Sequence, residues 1–244
     1  MLKLLLLLLS GVKLGKLLLT GGTMLISVVV YAFIFGWRYA VGFVALLLAH
    51  EMGHYLAARQ RGLDVGAPTF IPFVGAWIAL KDLPHDAETE AWIGLAGPLL
   101  GTIASVLCYF IARDSGEPWL LAVAYAGFFL NLFNLIPLSP FDGGRITAVL
   151  SPRVWLLGVP VLGALFVYRP SPMLLLVAIL AAPQVWKAIT YRKDSPEALT
   201  YYAVSWRTRL EYGFYYVVLT AFLAVMTHDV HEMLVSLRGT MHRF

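Results

Sequence analysis

Two histidines one helical turn apart, with a glutamate beside the first, carry the chemistry of this chain: His50-Glu51-Met52-Gly53-His54. On a helix His50 and His54 project from one face, where two imidazole nitrogens can reach a single metal at about 2.0–2.1 Å. Glu51 is then placed to take a proton from a water whose pKa a zinc ion lowers to roughly 7. Gly53 leaves room for a neighbouring segment to pack closely. A bare H-E-x-x-H pattern recurs by chance in surface helices, but this one lies inside an apolar stretch from Val41 to Ala58. Ionisable side chains at membrane depth are costly unless they bind, pair or line a wet cavity, so the position itself argues for a working site.

Catalytic zinc takes three protein ligands and a water, so two histidines leave one ligand to find. The best candidate is Asp142, 88 residues beyond His54 in N-L-F-N-L-I-P-L-S-P-F-D-G-G-R. Pro137 and Pro140 end the apolar helix before it, and Gly143 and Gly144 permit a close backbone approach. A turn-forming Asp-Gly would explain this residue alone, but would leave the metal with two ligands. Asp82, His85, Asp86, Glu88 and Glu90 read as a solvated loop. His228, Asp229, His231 and Glu232 follow an apolar run where an interface begins, and read as surface in preference to a second metal site. The single cysteine, Cys108, excludes an intrachain disulfide and says nothing of redox compartment.

The elements that must position these residues are membrane helices. A chain of 244 residues that is 60% hydrophobic and 13% charged, with mean hydropathy +0.78, lacks the polar surface of a soluble domain. Its fold class is an all-α polytopic membrane protein. The 18 basic residues are scattered between apolar runs, which sets nucleic acid aside as a partner and leaves the lipid bilayer. Runs long enough to cross about 30 Å of hydrocarbon fall at 17–36, 40–60, 90–111, 118–136, 154–168, 171–189 and 212–228, giving about six or seven transmembrane helices. The fifth is short and carries Pro160, with Pro170 and Pro172 beyond it. Between the second and third, Val65 to Leu80 is too punctuated by Gly66, Pro68, Pro72 and Gly75 for a helix, and predicts a short membrane-associated β-hairpin.

Residues 1–16, with Lys3, Lys13 and Lys16 among leucines, predict an uncleaved amphipathic helix on the membrane surface, since no A-x-A-like cleavage site follows. Residues 17–150 then form the catalytic membrane core, and 151–244 add further membrane helices around a polar, helical segment from Lys193 to Arg209. Placing the N-terminus inside puts thirteen of the 18 Lys and Arg residues in inside loops, among them Arg59, Arg61, Arg192 and Lys193. That is the orientation of a multi-pass protein of the cytoplasmic (inner) membrane.

H-E-M-G-H in one span and N-L-I-P-L-S-P-F-D-G-G at the end of another resemble the paired signature of the site-2 protease family of intramembrane zinc metalloproteases, and Ala96-Gly97-Pro98 resembles its third-span motif. The resemblance covers roughly residues 39–150. It implies one zinc per chain held by His50, His54 and Asp142, Glu51 as general base, and Asn134 holding substrate or transition state. It implies hydrolysis of a peptide bond within a transmembrane segment of a membrane protein substrate. Asn131, one turn before Asn134, could share the polar task or pack against a neighbouring span. Neither the gap from Arg61 to Glu90 nor the chain beyond Arg192 has room for the PDZ-type or paired CBS nucleotide-binding modules of some relatives, so a minimal member is expected. Two other readings stand beside it. A protease of prenylated C-termini would need a downstream glutamate ligand that is not visible, and a membrane zinc transporter or metal sensor would use Glu51 as a ligand.

Overall fold

In the computed structural model the backbone is described for residues 2–73, 75–77 and 83–241, and the side chains for 19–73 and 83–237. The chain is largely helical: α1 (Leu2–Phe35), α2 (Trp37–Gln60), α3 (Ala87–Ser115), α4 (Pro118–Asn134), α5 (Asp142–Ala148), a 3₁₀ turn (Pro152–Leu157), α6 (Gly158–Tyr168), α7 (Pro172–Thr190), α8 (Pro196–Thr200) and α9 (Trp206–Met241). Among the described residues four helices are long and apolar enough to cross a membrane: Trp37–Gln60, Ala87–Ser115, Pro172–Thr190 and Trp206–Leu237. This is a multi-pass integral membrane protein. Half of the apolar window is buried in α2 and α3, but only 17% in α7 and α9. The first pair is therefore the centre of the bundle, and the second presents residues such as Ile179, Trp186, Phe214 and Val217 outward, as a lipid-facing surface should.

One core cluster joins α2, α3, α4 and α9 through Leu46, Leu95, Phe128 and Leu223. A second joins the segment after α4 to the C-terminal third, through Ile136, Leu138 and Phe141 against Trp155, Leu162, Val177 and Ala181. At α6, 11 residues rise only about 16 Å, half the hydrocarbon thickness. Pro160 is tolerated there because it falls in the first turn, where its missing N–H breaks no helical bond.

Two three-residue strands, β1 (Thr69–Ile71) and β2 (Gly75–Trp77), pair antiparallel with Phe70 opposite Ala76. Helix α1 holds β1 with hydroxyls. Thr20 donates to Pro68 O at 2.7 Å, Phe70 N–H donates to Thr23 Oγ1 at 3.2 Å, and Phe73 N–H donates to the Tyr31 hydroxyl at 2.9 Å. Phe73 sits at φ 65, a left-handed conformation rare for an aromatic residue, with its ring edge-on to Tyr31.

The surface segment expected at 1–16 lies outside the described side chains, and its backbone is the start of α1. Two other local readings of the sequence change. Asp82 lies outside the described residues, but its neighbours are more than a solvated loop: Asp86 caps α3 by accepting from Thr89 N at 2.7 Å, and Glu90 accepts from the Tyr201 hydroxyl at 2.5 Å. Burial, and then the Glu90 carboxylate beside it, push the Tyr201 hydroxyl above its ordinary range, so it remains a donor. Between Lys193 and Arg209, helix forms only from Pro196 to Thr200 and again from Trp206, because Arg209 draws the carbonyls of Tyr202 and Val204 to its guanidinium.

Candidate metal centre and active site

His50, Glu51 and His54 are all buried on α2, at 3%, 6% and 7% exposure. Asp142, 8% exposed, is the first residue of α5. The two imidazole Nε2 atoms lie 3.1 Å apart, and Asp142 Oδ2 lies 3.1 Å from one and 3.2 Å from the other. Tetrahedral zinc with bonds of about 2.0–2.1 Å separates its ligand atoms by about 3.3 Å. The triangle is therefore within a few tenths of an ångström of the face three ligands present to such an ion.

Hydrogen bonding on the far side of each ring decides which nitrogens face this triangle. His54 Nδ1 lies 2.7 Å from Ile93 O, a carbonyl that can only accept, so Nδ1 carries the proton. His50 Nδ1 lies 2.8 Å from Asn131 Oδ1, and the Asn131 amide is fixed in that sense because its Nδ2 donates to Gly127 O at 2.7 Å. His50 Nδ1 is then a donor as well. Both rings turn Nε2 toward each other and toward a carboxylate oxygen. Two imidazole nitrogens and one carboxylate oxygen gathered this closely, away from water, are a donor set that suits zinc.

Close helix packing makes this possible. A Cβ added at Gly97 would run into the His54 ring, one at Gly53 into the Ala96 carbonyl, and one at Gly101 into the Asn131 amide. The Ala96-Gly97-Pro98 motif thus lets α3 close onto the histidines. Pro98 lies inside α3, where its missing N–H removes the ladder donor of Gly94 O.

The ligand atoms of His50, Glu51 and His54 lie within 4.8 Å of one another, and among the described residues this is the one such cluster able to hold a metal. It suits one zinc per chain. Asp142 Oδ2 is nearer the two nitrogens than that limit requires, at 3.1 and 3.2 Å. His228, Asp229, His231 and Glu232 form no comparable cluster among the described residues. Asn134 ends α4, half-buried and with no side-chain hydrogen bond among the described residues, while Asn131, three residues earlier and 1% exposed, makes the contact to His50. Helix rotation, which three-residue spacing alone does not fix, decides between the two.

Two buried histidines on a candidate membrane helix, with a buried carboxylate from the short α5, form a cluster that suits zinc. Residues 38–120 match peptidase family M50. The zinc metalloprotease MJ0392 of Methanocaldococcus jannaschii is 35% identical over 118 aligned positions, 46% of this chain and 33% of that protein. The putative zinc metalloprotease Rip3 of Mycobacterium tuberculosis is 33% identical over 115 positions, 44% of this chain and 29% of that protein. The solved site-2 protease from Methanocaldococcus jannaschii overlaps 68% of this chain and 83% of its own, at 22% identity and a TM-score of 0.44. Over these segments the chain is similar to peptidase family M50 and to zinc metalloproteases. It spans a third or less of the length of MJ0392 and Rip3.

Proposed function

We propose that the chain is an intramembrane zinc endopeptidase that hydrolyses a peptide bond within the transmembrane segment of a membrane protein substrate. The observation that carries this reading is the buried Nε2, Nε2, Oδ2 triangle with a carboxylate beside it, all on elements of a membrane bundle. His50, His54 and Asp142 would hold zinc, which when bound lowers the pKa of a water and polarises a carbonyl. Glu51 accepts the proton of the attacking water and passes it to the amide nitrogen as the scissile C–N bond breaks, so proton and electron pair leave together on the new amine. Asn134, at the end of α4, offers an amide donor for the carbonyl oxygen as charge develops there.

A helical substrate hides its amides in i to i−4 bonds, so the reacting segment must first become extended. Strand addition to β1–β2 would replace the lost bonds and lower the cost of unwinding in lipid. We place the N-terminus inside, with about six or seven crossings and 17–150 as the catalytic core. His54 then lies seven residues, roughly 10 Å, from the inner boundary at Arg61.

Replacing Glu51 with Gln is the test. A protease loses cleavage of a single-pass model substrate and keeps its zinc. Loss of zinc along with activity would instead make Glu51 a ligand, as in a transporter or sensor.

A further inference from the structure

Asp142 is carried by segment 135–150, and apart from Thr147 within it the side chains that grip the backbone of this segment come from beyond residue 150. The Tyr216 hydroxyl of α9 donates to Leu135 O at 2.5 Å. Gln184 Oε1 of α7 accepts from Ser139 N–H. Trp155 Nε1 donates to Gly144 O at 2.8 Å. The Arg209 guanidinium donates to Val149 O at 3.0 Å and to Leu150 O. Gln184 is the telling one. It follows an unbroken apolar run from Pro172 to Pro183 of α7, where a polar side chain is costly without a task. Its task is visible, since Ser139 lies between Pro137 and Pro140, which have no N–H, and a bare amide at this depth needs a partner. Gly144 keeps the space open, because a Cβ there would stand 3.2 Å from Gln184 Nε2.

We propose that the C-terminal third positions the third metal ligand, with Gln184 and Tyr216 as the positioning residues that hold the turn between α4 and α5 and so aim Asp142 at the histidines. This rests on the reading of Asp142 as a ligand. The histidines need none of these contacts, because Ile93 and Asn131 on α3 and α4 orient them. The site is therefore made of two parts that different regions of the chain control. A change that shifts α7 alters Asp142 and leaves the two-histidine pair in place.

The experiment measures zinc affinity by chelator competition, and the visible spectrum of the cobalt-substituted full chain, in detergent micelles. It compares Gln184→Leu, Gln184→Glu, Tyr216→Phe and Asp142→Ala. We expect Gln184→Leu to lose about tenfold or more in zinc affinity, with a cobalt spectrum displaced toward that of Asp142→Ala. Gln184→Glu keeps an oxygen acceptor and should restore most of both. Tyr216→Phe removes one hydroxyl from a half-buried ring, folds without it, and should lose a few-fold. Wild-type affinity and spectrum in both Gln184→Leu and Tyr216→Phe would overturn the proposal, provided Asp142→Ala differs from wild type. If Asp142→Ala itself matches wild type, the ligand reading fails and this inference falls with it.

Discussion

His50 and His54 stand on one continuous 24-residue helix on which α3 closes backbone to side chain, whereas Asp142 stands at the head of a seven-residue helix after a proline-punctuated turn. The first part is rigid by packing: glycines at 53, 97 and 101 remove the Cβ atoms that would hold the helices apart, and interiors of this density transmit small shifts instead of absorbing them. The second is held by a few hydrogen bonds to carbonyls and one amide, each worth about 0.5–1.5 kcal/mol net. On the proposed reading, a site divided in this way keeps two ligands fixed and leaves the third adjustable. The histidine part then sets whether metal is retained at all, and the aspartate turn sets how tightly it is held and how well the site cleaves.

The largest expected effect is on the packed part. Gly97→Ala places a methyl in the His54 ring, so the ring must leave or α3 must retreat. Zinc content of the purified protein should fall to a small fraction of one per chain, with a stability loss of about 1–3 kcal/mol from overpacking. A fully loaded Gly97→Ala protein would show that the helices are not in such close contact.

Gly143→Ala probes the other part, since its Cβ would meet the Leu135 and Ile136 carbonyls. There the expected result is milder for the metal and severe for function: zinc bound more weakly, cleavage of a model substrate nearly abolished. Equal damage to binding from both alanine variants would erase the distinction between the two parts.

Asn131→Leu should cost about 10–100-fold in zinc affinity, as loss of a ligand's supporting hydrogen bond does, while Asn134→Leu should lower cleavage and leave the metal in place. Chelator competition beside a cleavage assay separates the two. The smallest effect belongs to the strand pair. Thr23→Val removes the acceptor of Phe70 N–H and should cost on the order of 1 kcal/mol, read as faster exchange at that amide with the zinc affinity unchanged.

Much of the His50, His54 and Asp142 cluster was legible in the sequence because metal chemistry restricts both residue type and spacing. Two imidazoles one turn apart inside an apolar run have few other uses, and Asp142 stood out as a carboxylate on a glycine-flanked turn. The membrane character followed from hydropathy. What the sequence left open were matters of rotation and distant partners. Asn131 and Asn134 are three residues apart on one helix, and only the packing of Gly101 against Asn131 decides which reaches His50. Gln184 did leave a signal, a lone amide in an apolar run, but its partner lies 45 residues away and no local pattern names it. The Asp86 cap could have been read from Asp86-Ala87-Glu88-Thr89, a polar residue opening an apolar helix. Nothing in the sequence forecasts Phe73 in the left-handed region, a position at which turn patterns expect glycine or asparagine.

The central claim is that His50, His54 and Asp142 bind one zinc while Glu51 does the proton transfer. The most direct measurement is zinc X-ray absorption, with metal content, on wild type, Glu51→Gln and Asp142→Ala, each also assayed for cleavage. The account predicts nitrogen and oxygen neighbours at about 2.0–2.1 Å in wild type, an unchanged shell and full zinc in Glu51→Gln with cleavage down about 10²–10⁴-fold, and a weakened, altered shell in Asp142→Ala. Zinc lost from Glu51→Gln and retained with an unaltered shell in Asp142→Ala would contradict it.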